Sequence, residues 1–147
     1  DTLFHFHKWT ESKKIYYDYL VVLNPTSPLR NYKDINSAIQ IVQRKKYKSL
    51  SSISESLEHP YECIKFDKNG KWKPVLSKSR LYYRRQDFDF NSYFINGAIF
   101  IIHRELIIKK KIYNNKKQGF FIMPKYRSID INDLDEMKIA ELLLKKK

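Results

Sequence analysis

The sequence is poor in cysteine, glycine and long apolar runs, and each shortage excludes a class of protein. The single cysteine, Cys63, excludes an internal disulfide framework and any zinc site built on several cysteines. The three glycines form no glycine-rich phosphate loop, and no Ser-His-acid or H-E-x-x-H pattern occurs. No apolar run has membrane-spanning length, and the first residues lack the basic and apolar regions of a signal peptide. We therefore expect a soluble, cytoplasmic protein.

What the chain has in excess is positive charge, since 29 Lys and Arg residues against 16 Asp and Glu residues give a net charge of +13. Such an excess attracts nucleic acid, membrane headgroups and nucleoside triphosphates alike. Most of it is lysine placed where helices should end, and lysines there complement the helix dipole. The charge alone therefore does not choose a partner. A length of 147 residues with 42% hydrophobic content predicts one domain, spanning residues 1–147.

Apolar periodicity predicts an α/β chain. Asn31 is suited to cap a helix over residues 32–46, whose apolar stripe should pack on a sheet. With strands at 19–23 and 49–54 on either side, this helix predicts a β-α-β crossover of the parallel type. The stripe consists of Ile35, Ala38, Ile39 and Val42.

After residue 54 the pattern changes from a parallel alternation to an antiparallel excursion. Two short strands, 63–67 and 71–76, are separated by Asn69-Gly70, the pair that a tight hairpin requires. The remaining elements are predicted at 97–102 (strand), 105–111 (short helix), 120–123 (strand) and from Asn132 onward (helix). The last helix should turn its apolar residues inward, namely Met137, Ala140, Leu143 and Leu144.

Three polar clusters could carry chemistry. The first lies in LVVLNPTSPLR at 20–30, where Asn24 and Arg30 follow a buried strand, the position at which open α/β sheets hold ligands. The second is RRQD at 84–87, and the third is SIDIND at 128–133. Together they indicate a nucleotidyl-transfer enzyme.

The third cluster predicts a magnesium site. Asp130 and Asn132 alternate with isoleucines, so on an extended segment both polar side chains point to one face. Magnesium takes one or two protein oxygens, keeps most of its waters and bridges phosphates. The alternative is that both residues only cap the following helix. Taken alone the cluster slightly favours that alternative, and only its combination with the other two clusters reverses the preference.

The other polar groups each have a functional and a structural interpretation. Arg84, Arg85 and Gln86 suit phosphate or carboxylate, while an exposed solvated pair is the alternative. Asn96-Gly97 is either a polar group at the sheet edge, with glycine allowing close approach, or a plain turn. Aromatic residues around the arginines could stack on single-stranded nucleic acid, but an interface or core role is the more common explanation. These aromatics are Tyr82, Tyr83, Phe88, Phe90, Tyr93 and Phe94.

Several sequence strings, taken in their order along the chain, resemble those of the acylneuraminate cytidylyltransferases, or CMP-sialic acid synthetases. That family includes relatives that activate legionaminic or pseudaminic acid. The matching strings are LNPTSPLR with NYKDINSAI, SLEHPYECIKFDKNGKW, RRQD, NGAIFI and SIDINDLDEMKIAELL, and they cover nearly the whole chain. The resemblance implies a Rossmann-like, mostly parallel sheet with helices on both faces, as in nucleotide-diphospho-sugar transferases. It also implies that the antiparallel hairpin excursion, at about 60–94, builds a homodimer.

The activity that the resemblance implies is transfer of CMP from CTP to a nine-carbon 2-keto sugar acid, with release of pyrophosphate. Such a step serves cell-surface polysaccharide biosynthesis, and Mg²⁺ is the expected cofactor. Carried over by position, Asp130 and Asn132 would hold the metal, and Arg85 would meet phosphate or the sugar carboxylate. Asp130 and Arg85 are thus the expected catalytic residues. The residues assigned to substrate binding are Asn24, Arg30, Gln86 and Asn96.

The chain also departs from the family pattern. Asn24 stands where the family usually has glutamine, and Asn132 replaces the usual second aspartate, which predicts weaker metal binding. Glu62 stands where some members place a substrate-binding lysine, so that contact is not carried over. Members begin with a strand and a basic loop of the A-R-x-G-S-K kind that grips the triphosphate. Because nothing like it occurs here, we expect this chain to be the C-terminal part of such an enzyme, the alternative being a protein that has lost this loop. We expect slow or no turnover by this chain alone.

Two other functions fit parts of the pattern. One is a non-catalytic dimerising fragment. The other is a basic module for single-stranded nucleic acid, whose salt-sensitive binding would depend on Tyr82, Tyr83 and Arg85. The expected partners remain CTP, a nonulosonic acid and a second copy of the chain, with neither a membrane nor a nucleic acid among them.

Overall fold

The structure is a computed structural model that describes residues 2–76, 84–112 and 115–145. The α-helices are α1 (Thr2–Ser12), α2 (Tyr32–Lys45), α3 (Arg104–Ile108) and α4 (Leu134–Lys145). The strands are β1 (Tyr19–Val22), β2 (Ser49–Glu55), β3 (Ile64–Phe66), β4 (Trp72–Pro74), β5 (Tyr93–His103) and β6 (Gln118–Ile122). Short 3₁₀ turns lie at Pro60–Glu62, Arg85–Asp87 and Lys125–Arg127.

The chain divides into two compact units. Residues 1–54 and 95–147 form one, here named the sheet unit, and residues 55–94 form the other, the hairpin unit. Among the described parts of the chain, no helix has both the length and the apolar character needed to cross a membrane.

The sheet unit is built on a four-stranded mixed sheet in the order β1-β5-β2-β6. β1 runs antiparallel to β5, with Tyr19 opposite His103, whereas β2 runs parallel to β6, with Ser49 opposite Gln118. β5 and β2 are also antiparallel, because the His103 amide bonds to the carbonyl of Lys48 while the earlier Ile99 amide bonds to the later Ser52. β1 and β2 therefore point the same way with β5 between them.

The expectation of a mostly parallel sheet is wrong for the described strands. β2 and β5 are joined by residues 56–92, of which the described part holds only 3₁₀ turns and the β3–β4 hairpin, without a crossover α-helix. A parallel neighbour requires a crossover, so a chain that returns without one runs antiparallel. The apolar sequence of β5 predicts a buried strand but carries no information on its direction.

Both faces of the sheet are covered by helices. On one face Ala38 and Val42 of α2 pack with Leu50 of β2 and Ile101 of β5. On the other face Leu106 of α3 packs in a second cluster with residues of α1, β1 and β5. Alternate residues of β1 and β5 serve the two clusters, as the period of a strand requires.

α2 confirms its sequence signals. The Asn31 side chain accepts hydrogen bonds from the amides of Lys33 and Asp34, and the Asp34 carboxylate accepts one from the Asn31 amide. This reciprocal capping box satisfies amides that would otherwise lack partners at the helix start. Lys46, which follows the helix, has a left-handed backbone. The stripe facing the sheet is the predicted one.

α4 and the hairpin show what periodicity can and cannot determine. In α4 only Ala140 is buried, so the expected inward position of Met137 and Leu144 is wrong, because periodicity identifies an apolar face without specifying what covers it. The hairpin is confirmed, since β3 and β4 pair antiparallel around a turn in which Gly70 has φ +74°.

Candidate active site

Asn24 lies just beyond β1, at the start of a loop that leads to α2. Its carbonyl accepts hydrogen bonds from the amide of Ser27 at 3.3 Å and from Nη1 of Arg30 at 3.0 Å. The same Nη1 donates to the carbonyl of Ala98 at 2.7 Å. The Arg30 guanidinium therefore ties the loop to β5, and burial lowers the pKa of Arg30 below its usual value. Both of these hydrogen bonds of the Arg30 side chain are to backbone carbonyls.

Asn96 lies inside β5 and is fully buried. Its Oδ1 accepts hydrogen bonds from Ser52 Oγ at 2.6 Å and from the amide of Ala98 at 3.2 Å, and its Nδ2 donates to Ser128 Oγ at 2.9 Å. Ser52 Oγ in turn accepts from the Ile99 amide at 2.8 Å. The Asn96 side chain thus joins β5, β2 and the segment before α4. These bonds occupy its oxygen and one donor hydrogen, and the assignment of Asn96 to substrate binding stays a prediction.

Gly97 marks the point where two predicted site residues meet. A methyl group on its Cα would lie 3.3 Å from Nδ2 of Asn24 and 3.8 Å from Oδ2 of Asp130. The backbone of Gly97 has φ +72°, a conformation that residues with a Cβ atom rarely adopt. The glycine therefore leaves room for Asn24 and Asp130 to approach β5 from the two segments that carry them.

Asp130 is held on the sheet unit by its neighbours in the chain. The amide of Ile131 donates to the carbonyl of Thr26 at 2.8 Å, so the segment runs beside the loop after β1. Oδ1 of Asp130 is buried and has no hydrogen-bond partner among the described residues. A desolvated carboxylate oxygen without a partner costs free energy. Such an oxygen suits a bound cation or a ligand hydrogen-bond donor.

Asn132 follows Asp130 on the same segment, and its assignment as a second metal ligand stays a prediction. Its residue is exposed, its Nδ2 donates to the carbonyl of Asp130 at 3.2 Å, and its amide donates to Glu136 Oε2 at 2.7 Å. Within the described residues, no group of three or more His, Cys, Asp and Glu side chains is placed to hold a metal. Magnesium needs only one or two protein oxygens when phosphates supply the rest, so Asp130 fits it as a single carboxylate ligand.

The second polar cluster belongs to the hairpin unit. Arg85 begins the 3₁₀ turn Arg85–Asp87, in which Gln86 is exposed. Their assignment to phosphate or the sugar carboxylate stays a prediction. Tyr82 and Tyr83, expected beside them, lie outside the described residues.

Sequence reasoning missed the buried serines of β2, whereas Ser27 and Ser128 belong to the polar clusters that it singled out. Ser52 and Ser128 hold Asn96, and two further buried hydroxyls, those of Ser27 and Ser54, lack partners among the described residues. The available signal was the serine-rich string SLSSIS in β2, because buried strands seldom carry so many hydroxyls. Hydroxyls in such a strand must bond to something, which indicates a polar network behind the sheet edge.

Comparison with characterised proteins gives a consistent set of relatives. Over 134 residues the chain is 28% identical to the post-translational flagellin modification protein B of Campylobacter coli, covering 91% of the chain and 56% of that protein. Over 142 residues it is 30% identical to an N-acylneuraminate cytidylyltransferase of Escherichia coli, covering 90% and 32%. Over 146 residues it is 28% identical to the CMP-N,N'-diacetyllegionaminic acid synthase of Legionella pneumophila, covering 98% and 60%.

The chain matches no family profile. It spans 56% of the flagellin modification protein and 60% of the legionaminic acid synthase, so roughly half of either relative's length has a counterpart here. The similarity extends along nearly all of this chain and includes the strings around Asn24, Gly97 and Asp130. The chain is thus a homologue of the acylneuraminate cytidylyltransferases and of their legionaminate-activating relatives.

Proposed function

We propose that the protein to which this chain belongs transfers CMP from CTP to the anomeric hydroxyl of a nine-carbon 2-keto sugar acid. The sugar oxygen would bond to the α-phosphorus of CTP as the bond to the leaving pyrophosphate breaks, and the hydroxyl proton would pass to solvent. The observation that carries the proposal is the Asp130 carboxylate, with one buried oxygen that lacks a partner among the described residues, close to the Asn24 amide. The relatives named above support the same reaction class.

Each residue has a simple task in this reaction. The Asn24 side chain offers an amide that can bond to sugar or nucleotide oxygens, and Arg30 keeps its backbone in place. Asp130 would hold Mg²⁺, which supplies neutralisation of the charge on the triphosphate when it is bound. Arg85 and Gln86 would meet the phosphate or the sugar carboxylate. Positioning and charge neutralisation are what phosphoryl transfer chiefly requires.

We propose further that the hairpin unit forms a homodimer contact. Ile64, Phe66 and Trp72 of the β3–β4 hairpin are each more than half exposed, which is unusual for large apolar side chains close together. Analytical ultracentrifugation of Trp72→Asp beside the unchanged protein tests this point. A dimer that dissociates in the variant supports the contact, and a monomer in both samples contradicts it.

The activity is tested by mass spectrometry on the natural full-length protein with CTP, Mg²⁺ and a panel of nonulosonic acids. We expect a CMP-sugar to form with one of the acids and one pyrophosphate to be released for each product molecule. Reactions with ATP, GTP or UTP in place of CTP are the controls and should give no product. If no acid yields a CMP-sugar, the proposal is wrong and the non-catalytic dimerising role takes its place.

A further inference from the structure

A buried ion pair joins the start of α2 to the turn that precedes Asp130. Nη2 of Arg127 lies 2.8 Å from Oδ1 of Asp34, and Nε of Arg127 donates to Oδ2 of Asp34 at 3.0 Å. Asp34 is 3% exposed. This two-bond geometry fixes the orientation of the guanidinium plane as well as its distance. Hydrogen bonding to Asp34 also raises the pKa of Arg127, so the guanidinium remains charged.

The ion pair is one of three attachments of a short segment. Arg127 binds α2, Ser128 receives a hydrogen bond from Nδ2 of Asn96, and the amide of Ile131 bonds to the Thr26 carbonyl at 2.8 Å. Asp130 lies between the last two of these attachments. Its carboxylate is therefore oriented by contacts that its own side chain does not make.

The charge of Asp34 also acts on Arg30, the residue that binds the carbonyl of Asn24. Its charge favours the protonated form of Arg30, and the guanidinium of Arg30 holds the carbonyl of Asn24. Asp34 thus bonds to the segment of Asp130 through Arg127, and on the side of Asn24 only its charge acts, on Arg30. A residue whose only task was to cap α2 would need the bond to the Asn31 amide and no more.

We propose that Asp34 and Arg127 are positioning residues, which fix the Asp130 carboxylate opposite Asn24 without touching substrate. The expected effect on turnover rests on the proposed function. The expected effect on the position of Asp130 rests on the ion pair and the hydrogen bonds alone. Lysine at 127 would keep the charge but lose the planar fork, so it would leave the segment less well oriented.

The kinetic test is Arg127→Lys in the natural full-length protein. A small displacement of a positioning group costs turnover up to about 100-fold, so we expect kcat to fall about 10- to 100-fold. We expect kcat/KM to fall by a similar factor, since a misplaced Asp130 would stabilise the transition state less, and the Mg²⁺ concentration for half-maximal rate to rise. Adding Asp34→Glu, which lengthens the partner by one methylene, should restore part of the turnover.

The matched control is Lys138→Met, which removes an exposed ion pair to Asp135 on α4, where Nζ and Oδ1 are 3.0 Å apart. It should leave kcat and the Mg²⁺ dependence as they are. If Arg127→Lys does not fold, Asp34→Asn, which keeps the size of the side chain, gives the same readouts.

Hydrogen–deuterium exchange at the Ile131 amide separates this inference from the proposed function. In Arg127→Lys we expect faster exchange at this amide and unchanged exchange in the core of β5, with neither change in Lys138→Met. Faster exchange in a protein that makes no CMP-sugar would defeat the proposed function and leave the positioning of Asp130 standing. Exchange and kcat equal to those of Lys138→Met would overturn the positioning role.

Discussion

Gly97 is the residue on which the shape of the candidate site most directly depends. Alanine at this position would meet two costs, the positive φ of +72° and a methyl group 3.3 Å from Nδ2 of Asn24. Gly70 is a matched control, because its φ is +74° but an added methyl group would meet nothing within 4 Å. The comparison of Gly97→Ala with Gly70→Ala therefore separates backbone strain from crowding at the site.

We expect each alanine variant to lower the free energy of unfolding by about 1 kcal/mol through the backbone term. Only Gly97→Ala should also displace Asn24 and lower CMP-sugar formation, by about tenfold or more. Urea denaturation and steady-state rates measure the two effects. Equal activity in the two variants would mean that CMP-sugar formation does not require the space beside Gly97.

Asp130 and Asn132 should differ in both activity and stability. Asp130→Asn removes the only formal charge of the pair, and loss of one group that stabilises developing charge costs about 100- to 1,000-fold in turnover. Asn132→Ala removes an exposed side chain that bonds to backbone, so its effect should be a few-fold at most. Similar losses at both positions would contradict this division of labour.

The stability of Asp130→Asn should move in the opposite direction from its activity. Because Oδ1 is buried without a partner among the described residues, neutralising the carboxylate removes a desolvation cost. We expect the free energy of unfolding to be unchanged or higher by up to about 1 kcal/mol, as measured by urea denaturation. A gain of stability with a loss of activity is the usual mark of a site whose strain serves function.

At the scale of elements, the stability of β2 depends on which of its hydroxyl groups form hydrogen bonds. Ser52 and Ser54 are both completely buried in this strand, but only Ser52 has hydrogen-bond partners among the described residues. Ser52→Ala would leave Oδ1 of Asn96 short of a donor and the amide of Ile99 without its acceptor. We expect a loss of about 1–3 kcal/mol in the free energy of unfolding, measured by urea denaturation.

Ser54→Ala is the control for this prediction, since it removes a buried hydroxyl that forms no hydrogen bond within the part of the chain that the structure describes. It should be neutral or slightly stabilising. A variant of Ser54 as unstable as that of Ser52 would show that volume, rather than hydrogen bonding, determines the stability of the strand.

Elements whose signals are local could be predicted from the sequence, and those set by distant partners could not. α2 has its cap, its stripe and its end within sixteen residues of sequence, from Asn31 to Lys46, and each feature is found. The direction of β5 depends on the path of residues 56–92, and the burial of α4 depends on what covers it. Neither property is encoded in the periodicity of the element itself.

The same distinction holds for the site. The prediction that Asn24 and Asp130 come together followed from the combination of the polar clusters and from the family resemblance, and the structure brings both side chains beside Gly97. The sequence did not show that Arg30 binds the carbonyl of Ala98 or that Asn96 bonds to Ser52. Those partners lie 44 or more residues away in the chain, beyond the reach of any local pattern.

At the scale of the whole molecule, a carboxylate that is bonded to two lysines makes the free energy of unfolding depend on pH. Glu105 of α3 accepts hydrogen bonds from Lys109, at 2.6 Å from Oε1, and from Lys48, which lies just before β2. These lysines lower the pKa of Glu105 to about 2 from an ordinary value of 4.5. A carboxylate with a lowered pKa contributes its stability above the unfolded pKa and loses it as the pH falls toward the folded one.

We therefore expect the unchanged protein to have a higher free energy of unfolding than Glu105→Gln. This margin should be constant above about pH 5. The margin should shrink between the unfolded pKa of 4.5 and the folded pKa of about 2, because in this range Glu105 binds a proton in the unfolded chain before it does so in the folded one, and glutamine binds none. Thermal unfolding of both proteins across pH 2–7 measures it. Repeating the series at about 1 M salt, where screening acts over about 3 Å, should narrow the margin at every pH, since Glu105 is partly exposed. A margin that stays constant down to pH 2 would mean that the lysines and Glu105 do not stabilise the fold through charge.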